Sequence, residues 1–378
     1  MKPFNLSRLK DYIPEDVKNL QLPHMPSWPL NDNGDSGRIS QQDHESKSET
    51  LCSEGLEPTG PRTNLDLVGE CDNFPYLHTD PELFFASLNT YYGLRVKAHP
   101  DVELGYVLPS VAEVFRGLPD WNLDDENRSL TLMTGNTEAE RTSAVSFATE
   151  AMRATDHFKI LRGWRNELYP VYGPAGDVLF NIERAASALF GVVTYGCHLT
   201  AYTIEAEDGG TRQMRIWVAR RAQTKQTYPG MLDNTVGGGI SSGEQVFESM
   251  IREAREEAGL PEEVLRKKAK AVGTVTYFHI RDRRAGGETR LLQPECQYVY
   301  DLELAGDVVL QPSDGEVANF ELKTVAEAQE ALKNGEFKPN CAMVLLDFLV
   351  RHGTLTPADA GYIEIVARLH RRLEFPMP

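Results

Sequence analysis

Apolar residues return at two different periods along this chain, and the change of period divides it. In PELFFASL and again from Ala139 to Thr155 they recur every three or four positions, the spacing that lines one face of a helix. VELGYVLPSVAEVF reads as a strand turning into a helix and RSLTLMTG as a short strand, so residues 67–193 predict an α+β unit. From about Thr194 strands dominate: TYGCHLTAYTIEA, QMRIWVARR, AVGTVTYFHI and QYVYDLEL. A Gly-rich loop, TKQTYPGMLDNTVGGGISSGE, leads to a helix from Glu244 to Ala258, and VAEAQEALKNG and CAMVLLDFLVRHG carry two more helical patterns. Mixed strands with helices on both faces predict an α/β/α sandwich with a mixed sheet over 194–350, followed by a carboxy-terminal extension, 351–378. Ahead of all this, the stretch from about 17 to 66 is rich in Pro, Gly, Ser, Asp and Glu. Its few apolar positions cannot offset the entropy of ordering, which predicts a mostly disordered leader over 1–66.

Composition narrows the function more than the fold. The 378 residues are 41% hydrophobic and 25% charged, as in a soluble globular protein with room for two domains. Lys and Arg number 39 against 56 Asp and Glu, a formal charge of −17, which argues against a nucleic-acid partner. A small anionic substrate stays open, because a local Lys/Arg cluster or a bound divalent cation can reverse the potential inside one cleft. The 5 cysteines are scattered and form no CxxC pair, which argues against a disulfide framework or a structural zinc site. No apolar run approaches the roughly 20 residues of a membrane span. The amino terminus lacks the apolar centre of a secretion signal, and Asp11, Glu15 and Asp16 are unlike a transit peptide, so a cytoplasmic rather than mitochondrial location is expected. Oligomeric state is left open.

The chemistry concentrates in GGISSGEQVFESMIREAREEAGL, which sets Gly238, Glu244, Arg252, Glu253, Glu256, Glu257, Gly259 and Leu260 in register. On a helix, residues three and four apart share a face, so Glu253, Glu256 and Glu257 project into one neighbourhood and repel. A hard divalent cation, Mg2+ or Mn2+, relieves that repulsion with oxygen ligands. It would bridge diphosphate oxygens and lower the pKa of an attacking water. Arg252 can pair with Glu244 or, at i+4, with Glu256 and so orient the carboxylates. Taken alone, a Glu-rich helix is most often a solvated face. The glycines at 237–239, between a strand and a helix, favour a functional turn instead.

With these residues in this order the segment resembles the Nudix box, a match expected by chance roughly once in a million chains or less. The resemblance implies a metal-dependent hydrolase of a small-molecule diphosphate linkage, with Glu253, Glu256, Glu257 and a further carboxylate at the metal. The catalytic set is then Glu256, Glu253, Arg252 and Glu244. The preceding loop, KQTYPGMLDNTVGGG, also resembles that of isopentenyl diphosphate isomerases, which share the fold. Gly237 stands where they carry a catalytic cysteine, and the intact REAREE is what hydrolases keep, so an isomerase is disfavoured. Over roughly Leu67 to Phe375, the runs ECDNFPY, GWRNELYPVYG, NIERAASALFGVVTYG, QPECQYVYDLEL and GEFKPNCAMVLLDFLVRHG are similar to the thiamine-pyrophosphokinase-related Nudix group of fungi and plants, here in stand-alone form. That resemblance implies oxidised thiamine diphosphate as substrate, hydrolysed to the monophosphate. A nucleoside diphosphate derivative such as ADP-ribose or a nucleotide sugar, and a non-catalytic diphosphate-binding module, are the alternatives. Where this group is expected to have Ala-Gly-Gly-Leu-Pro-Ser-Gly-Glu, the chain has GGGISSGE, with the carboxylates untouched.

Outside the box, Glu295 is the preferred fourth metal-site carboxylate, and Glu316 reads first as a turn residue. Lys225 and Arg220 or Arg221 are candidates to contact the diphosphate, together with the backbone at Gly238 and Gly239. Tyr228 and Trp164 are candidates for an aromatic substrate pocket. Trp217 reads as core and His198 as a satisfied core histidine.

Overall fold

The structure is a computed structural model that describes residues 60–206 and 212–378; most of the expected leader, residues 1–59, lies outside them. Thirteen strands are present among the described residues. Seven of them build one mixed sheet: β7 (Thr194–Ala206), β8 (Arg212–Arg221), β9 (Leu232–Asp233), β10 (Val236–Gly239), β11 (Lys270–Ile280), β12 (Leu292–Leu304) and β13 (Val317–Thr324). Its main path runs β11-β12-β7-β8-β13, with β10 paired to β7 and β9 to β8. Only β7 and β12 run parallel, in register from Thr194 opposite Glu295 to Thr203 opposite Leu304. The expected α/β/α sandwich with a mixed sheet is therefore what forms.

Alternation along the strands supplies both cores. Tyr195, Cys197, Leu199 and Ala201 on β7 and Trp217 on β8 face one cluster, which is closed by Met250, Ile251 and Ala254 of a helix at Val246–Ala258. Ile216 and Val218 turn to the other face, where Met343, Leu346 and Phe348 of the helix at Pro339–Arg351 cover them, as does Val68 of the helix at Asn64–Cys71. The carboxy-terminal helix, Tyr362–Leu369, puts Ile365 and Leu369 into the same cluster. Beyond it, buried Arg371 donates to Asp72 at 3.0 Å and to the Phe74 carbonyl at 2.6 Å, joining the two ends of the described chain.

Ahead of the large sheet stand β1 (Tyr92–Val96), β2 (Gly105–Val107), β3 (Trp121–Asp124) and β4 (Ser129–Leu132), in the order β2-β1-β4-β3. A hairpin of β5 (Leu168–Tyr172) and β6 (Val178–Glu183) follows, then a short helix at Arg184–Phe190 that ends on Gly191 in the left-handed region. Neither the hairpin nor β9 and β10 was evident from periodicity. β10 is mostly glycine and has almost no strand propensity of its own, so pairing with β7 makes it a strand. No described helix is long and apolar enough to cross a membrane.

Candidate active site

The helix at Val246–Ala258 buries Ser249, Met250, Ile251, Ala254, Glu257 and Ala258, a stripe at helical spacing that holds one carboxylate among apolar groups. Gly259 at φ 62° ends the helix. Residue Glu257 is 8% exposed and accepts the Gly237 N–H at 3.1 Å. Burial first, then the charges of Asp233 and Glu253, pushes its carboxyl well above the ordinary range. Glu253 is pushed up by burial too, against the pull of Arg252. Glu256 differs: its side chain is 54% exposed.

Arg252 ties the set together. Its Nε and Nη2 donate to the two Glu244 oxygens at 2.8 and 3.1 Å, and its Nη1 donates to Glu253 at 2.9 Å and Glu256 at 3.2 Å. The fork on Glu244 holds that carboxyl below its usual range. Both expected partners of Arg252 are thus engaged at once. Gly238 packs directly on the Glu253 carboxylate, and a Cβ there would overlap it; a Cβ on Gly239 would overlap the Tyr169 hydroxyl.

Glu253, Glu256, Arg252, Gly238, Gly239, Lys225, Glu295 and Glu316 line one cleft of about 790 Å³. Glu244 and Glu257 stand behind this surface, bonded to Arg252 and Gly237. On β12, Glu295 accepts the Tyr277 hydroxyl and, at 2.7 Å, Gln297 Nε2, which fixes its orientation. Lys225 forms an ion pair with Glu316, which also takes Arg165 Nη1 at 3.0 Å, so Glu316 bridges two cations in the cleft and is more than a turn residue.

Three expectations are corrected. Arg220 is outside the cleft: it pairs with Glu321 at 2.8 Å and donates to the Gly230 carbonyl at 3.1 Å, and the strand alternation turns Arg221 to the cleft instead. Tyr228 is buried with φ 49° and does not line the cleft. Trp164 stacks under Arg153, 4.7 Å from its ring centre, and donates to Asn166 at 3.0 Å, also away from the cleft. The aromatic rings that do line it are Tyr169 and Tyr195. Trp217 is core as expected, and His198 is buried, bonded through Nδ1 to Asn234 at 2.8 Å, with burial lowering its pKa to about 4.

Sequence reasoning missed Arg184, Arg281, Lys338 and Asp233, all on the cleft wall or floor. Asp233 lies with His198 and Cys341 in a buried group of possible metal donors. Its charge is already matched there: Arg221 Nη1 holds one oxygen at 2.8 Å and the Cys341 thiol donates to the other at 2.7 Å. Oxygen-only ligands suit a hard divalent cation better than this Asp–His–Cys group, and on the helix the Glu253 charge raises the Glu257 carboxyl while the Glu256 charge raises that of Glu253.

The NUDIX domain model matches residues 198–341, and a domain of unknown function (DUF4743) matches 95–194. Nudix hydrolase 20, chloroplastic, of Arabidopsis thaliana is 35% identical over 281 residues, 71% of this chain and 71% of its own. The chain belongs to the Nudix hydrolase family. As a Nudix hydrolase it is a pyrophosphohydrolase, and the family generally works with a divalent metal ion. Nudix hydrolase 24, chloroplastic, of the same plant is 39% identical over 243 residues, 64% of this chain and 62% of its own. Uncharacterized protein YJR142W of Saccharomyces cerevisiae is 35% identical over 291 residues, 74% of this chain and 83% of its own. These similarities run beyond the box into the preceding domain.

Proposed function

We propose that this Nudix hydrolase cleaves the diphosphate of a damaged, oxidised thiamine diphosphate, giving the monophosphate and phosphate, with Mg2+ or Mn2+. One observation carries the diphosphate reading: the cleft sets Glu253, Glu256 and Glu295 within the same walls as Arg184, Arg221, Arg281 and Lys225. Carboxylates to hold a cation and guanidinium groups to hold anionic oxygens meet there. The thiamine substrate rests on the resemblance of the sequence runs above.

Glu253, Glu256 and Glu257, with Glu295, would hold the cation, which when bound supplies electrophilic stabilisation of the diphosphate oxygens and acidifies a water. Arg252 keeps Glu253 and Glu244 fixed, and Glu256, the most exposed carboxylate of the three, serves either as a ligand or as the base that takes a proton from the attacking water. The water oxygen bonds to phosphorus as the bridging P–O bond breaks.

Phosphate release is to be measured from thiamine diphosphate, oxothiamine diphosphate, ADP-ribose and nucleoside triphosphates, with Mg2+ or Mn2+. The expected result is preference for oxothiamine diphosphate. Preference for ADP-ribose or a nucleotide would discard the thiamine substrate and keep the hydrolase. Binding without release from any of them would point to a diphosphate-binding role.

A further inference from the structure

The domain of unknown function ends where the large sheet begins, and part of it lines the cleft: Arg165, Glu167, Tyr169 and Arg184 all do so. Their placement is built rather than incidental. Glu183 accepts the backbone N–H of Arg165 at 2.9 Å and of Glu167 at 3.1 Å, pinning the turn that contains Asn166 at φ 58°. Ser241, in the loop entering the catalytic helix, donates to Glu167 at 3.1 Å, and Ser242 N–H donates to the Leu168 carbonyl at 2.8 Å. Tyr169 rests on Gly239, so hairpin and glycine loop are seated on each other.

Most cations of the cleft are already engaged. Arg165 and Lys225 share Glu316; Arg221 is spread over Asp233 and the Thr227 and Tyr228 carbonyls. Arg281 donates to the Ala285 and Gly286 carbonyls and Gln293, and Arg162 to Asp156. Lys159 is exposed, and Lys338 feels the Asp233 charge at the floor. Arg184 uses one side-chain nitrogen, Nη1, toward Glu167 at 2.8 Å, with its guanidinium 5.7 Å from the Tyr169 ring centre. Its remaining N–H groups have no protein partner among the described residues. Arg184 and Glu253 line the same cleft, and each feels the other's charge.

We propose that Arg184, held by Glu167 and Tyr169, is a diphosphate-binding residue, and that the domain of unknown function is a substrate-binding half of the active site. This rests on the diphosphate reading above, not on the thiamine substrate. A planar fork with several free donors matches two phosphate oxygens at once, which a lysine cannot do.

The test uses the full chain and imidodiphosphate, a diphosphate resistant to hydrolysis, with Mg2+, titrated calorimetrically into wild type, R184M and R184K. R184M is expected to bind about 10- to 100-fold more weakly, the range for losing charge-assisted hydrogen bonds, with R184K in between. Mn2+ binding without diphosphate, followed by electron paramagnetic resonance, is expected to be no weaker in either variant, since losing or keeping a positive charge near Glu253 does not disfavour a cation. Equal affinity of wild type and R184M overturns the assignment while leaving the diphosphate chemistry standing. Absence of imidodiphosphate binding to wild type overturns both. If R184M does not melt as wild type does, R184K decides: unchanged affinity there overturns the fork.

Discussion

The two sides of the cleft are written into the chain in opposite ways. The acidic side comes from the helix at Val246–Ala258, whose Arg252, Glu253, Glu256 and Glu257 are fixed relative to one another by helical spacing alone. The basic side draws Arg165, Tyr169 and Arg184 from the hairpin region and Arg221, Lys225 and Arg281 from three later segments, with no common period. The first is therefore a motif and the second is not. The contrast follows from the chemistry. Carboxylates that share a cation must lie close together, whereas groups that hold separate parts of a substrate only have to converge in space.

Removing a carboxylate on the acidic side gives the largest effect. E257Q keeps the shape of the side chain and removes a carboxylate from the proposed metal site, so turnover is expected to fall about 1000-fold, the rate equivalent of several kcal/mol. Because Asp233 and Glu253 already disfavour the Glu257 charge, the neutral amide is expected to leave the melting temperature in chelator unchanged or higher. A rate near that of wild type with Mg2+ would remove Glu257 from the metal site.

The floor between the two sides predicts a change in stability of similar size. Asp233 is buried, and although burial alone would raise its carboxyl, Arg221 and Lys338 hold it well below the ordinary range. Its folded pKa is lower than its unfolded one, so the pair stabilises fully above the unfolded value of about 3.9 and is lost as pH falls toward the folded value. D233N leaves Arg221 without its carboxylate and is expected to cost about 3 kcal/mol at pH 7. Urea unfolding at pH 7 and pH 3 checks both parts: the gap between wild type and D233N should narrow at the lower pH.

How much of this was legible in the sequence follows the same division. The catalytic helix and strands such as β7 and β11 could be read because a local period of 3.6 or 2 encodes them. Glu244 and Glu256 were legible as alternative partners of Arg252 because they lie eight residues or fewer away, whereas its contact with Glu253 was not foreseen. Arg184 was not, because a single arginine at the start of a seven-residue helix carries no signal until the hairpin brings it to the cleft. Arg220 and Arg221 were indistinguishable for a related reason. Which of two adjacent strand residues faces a site depends on the register with β9, and β9 is too short and too loop-like to be read from sequence.

Two neighbouring glycines separate the sides experimentally. A methyl on Gly238 meets the Glu253 carboxylate, so G238A is expected to lower kcat about 100-fold through misplacement of roughly 1 Å. In G239A the methyl meets the Tyr169 hydroxyl on the substrate-binding side, and the expected change is a KM raised about 10-fold with kcat less affected. If both variants lost kcat equally, the division between a chemical side and a binding side would not hold.

The smallest expected effect is the sharpest check on strand register. Arg220 and Arg221 are adjacent on β8, but only Arg221 reaches the cleft. Arg220 pairs with Glu321 on β13 with both side chains partly exposed, 34% and 26%, a setting in which screening leaves an ion pair worth about 0–1 kcal/mol. R220M is therefore expected to lower stability by no more than that and to leave kcat/KM within about twofold, since the altered side chain reaches neither the carboxylates nor the substrate. Steady-state rates with the preferred substrate of the panel, together with urea unfolding, measure both quantities. A KM raised tenfold in R220M would place its guanidinium at the substrate and reverse the facing of the two arginines, and with it the register that brings Asp233 opposite Ala219.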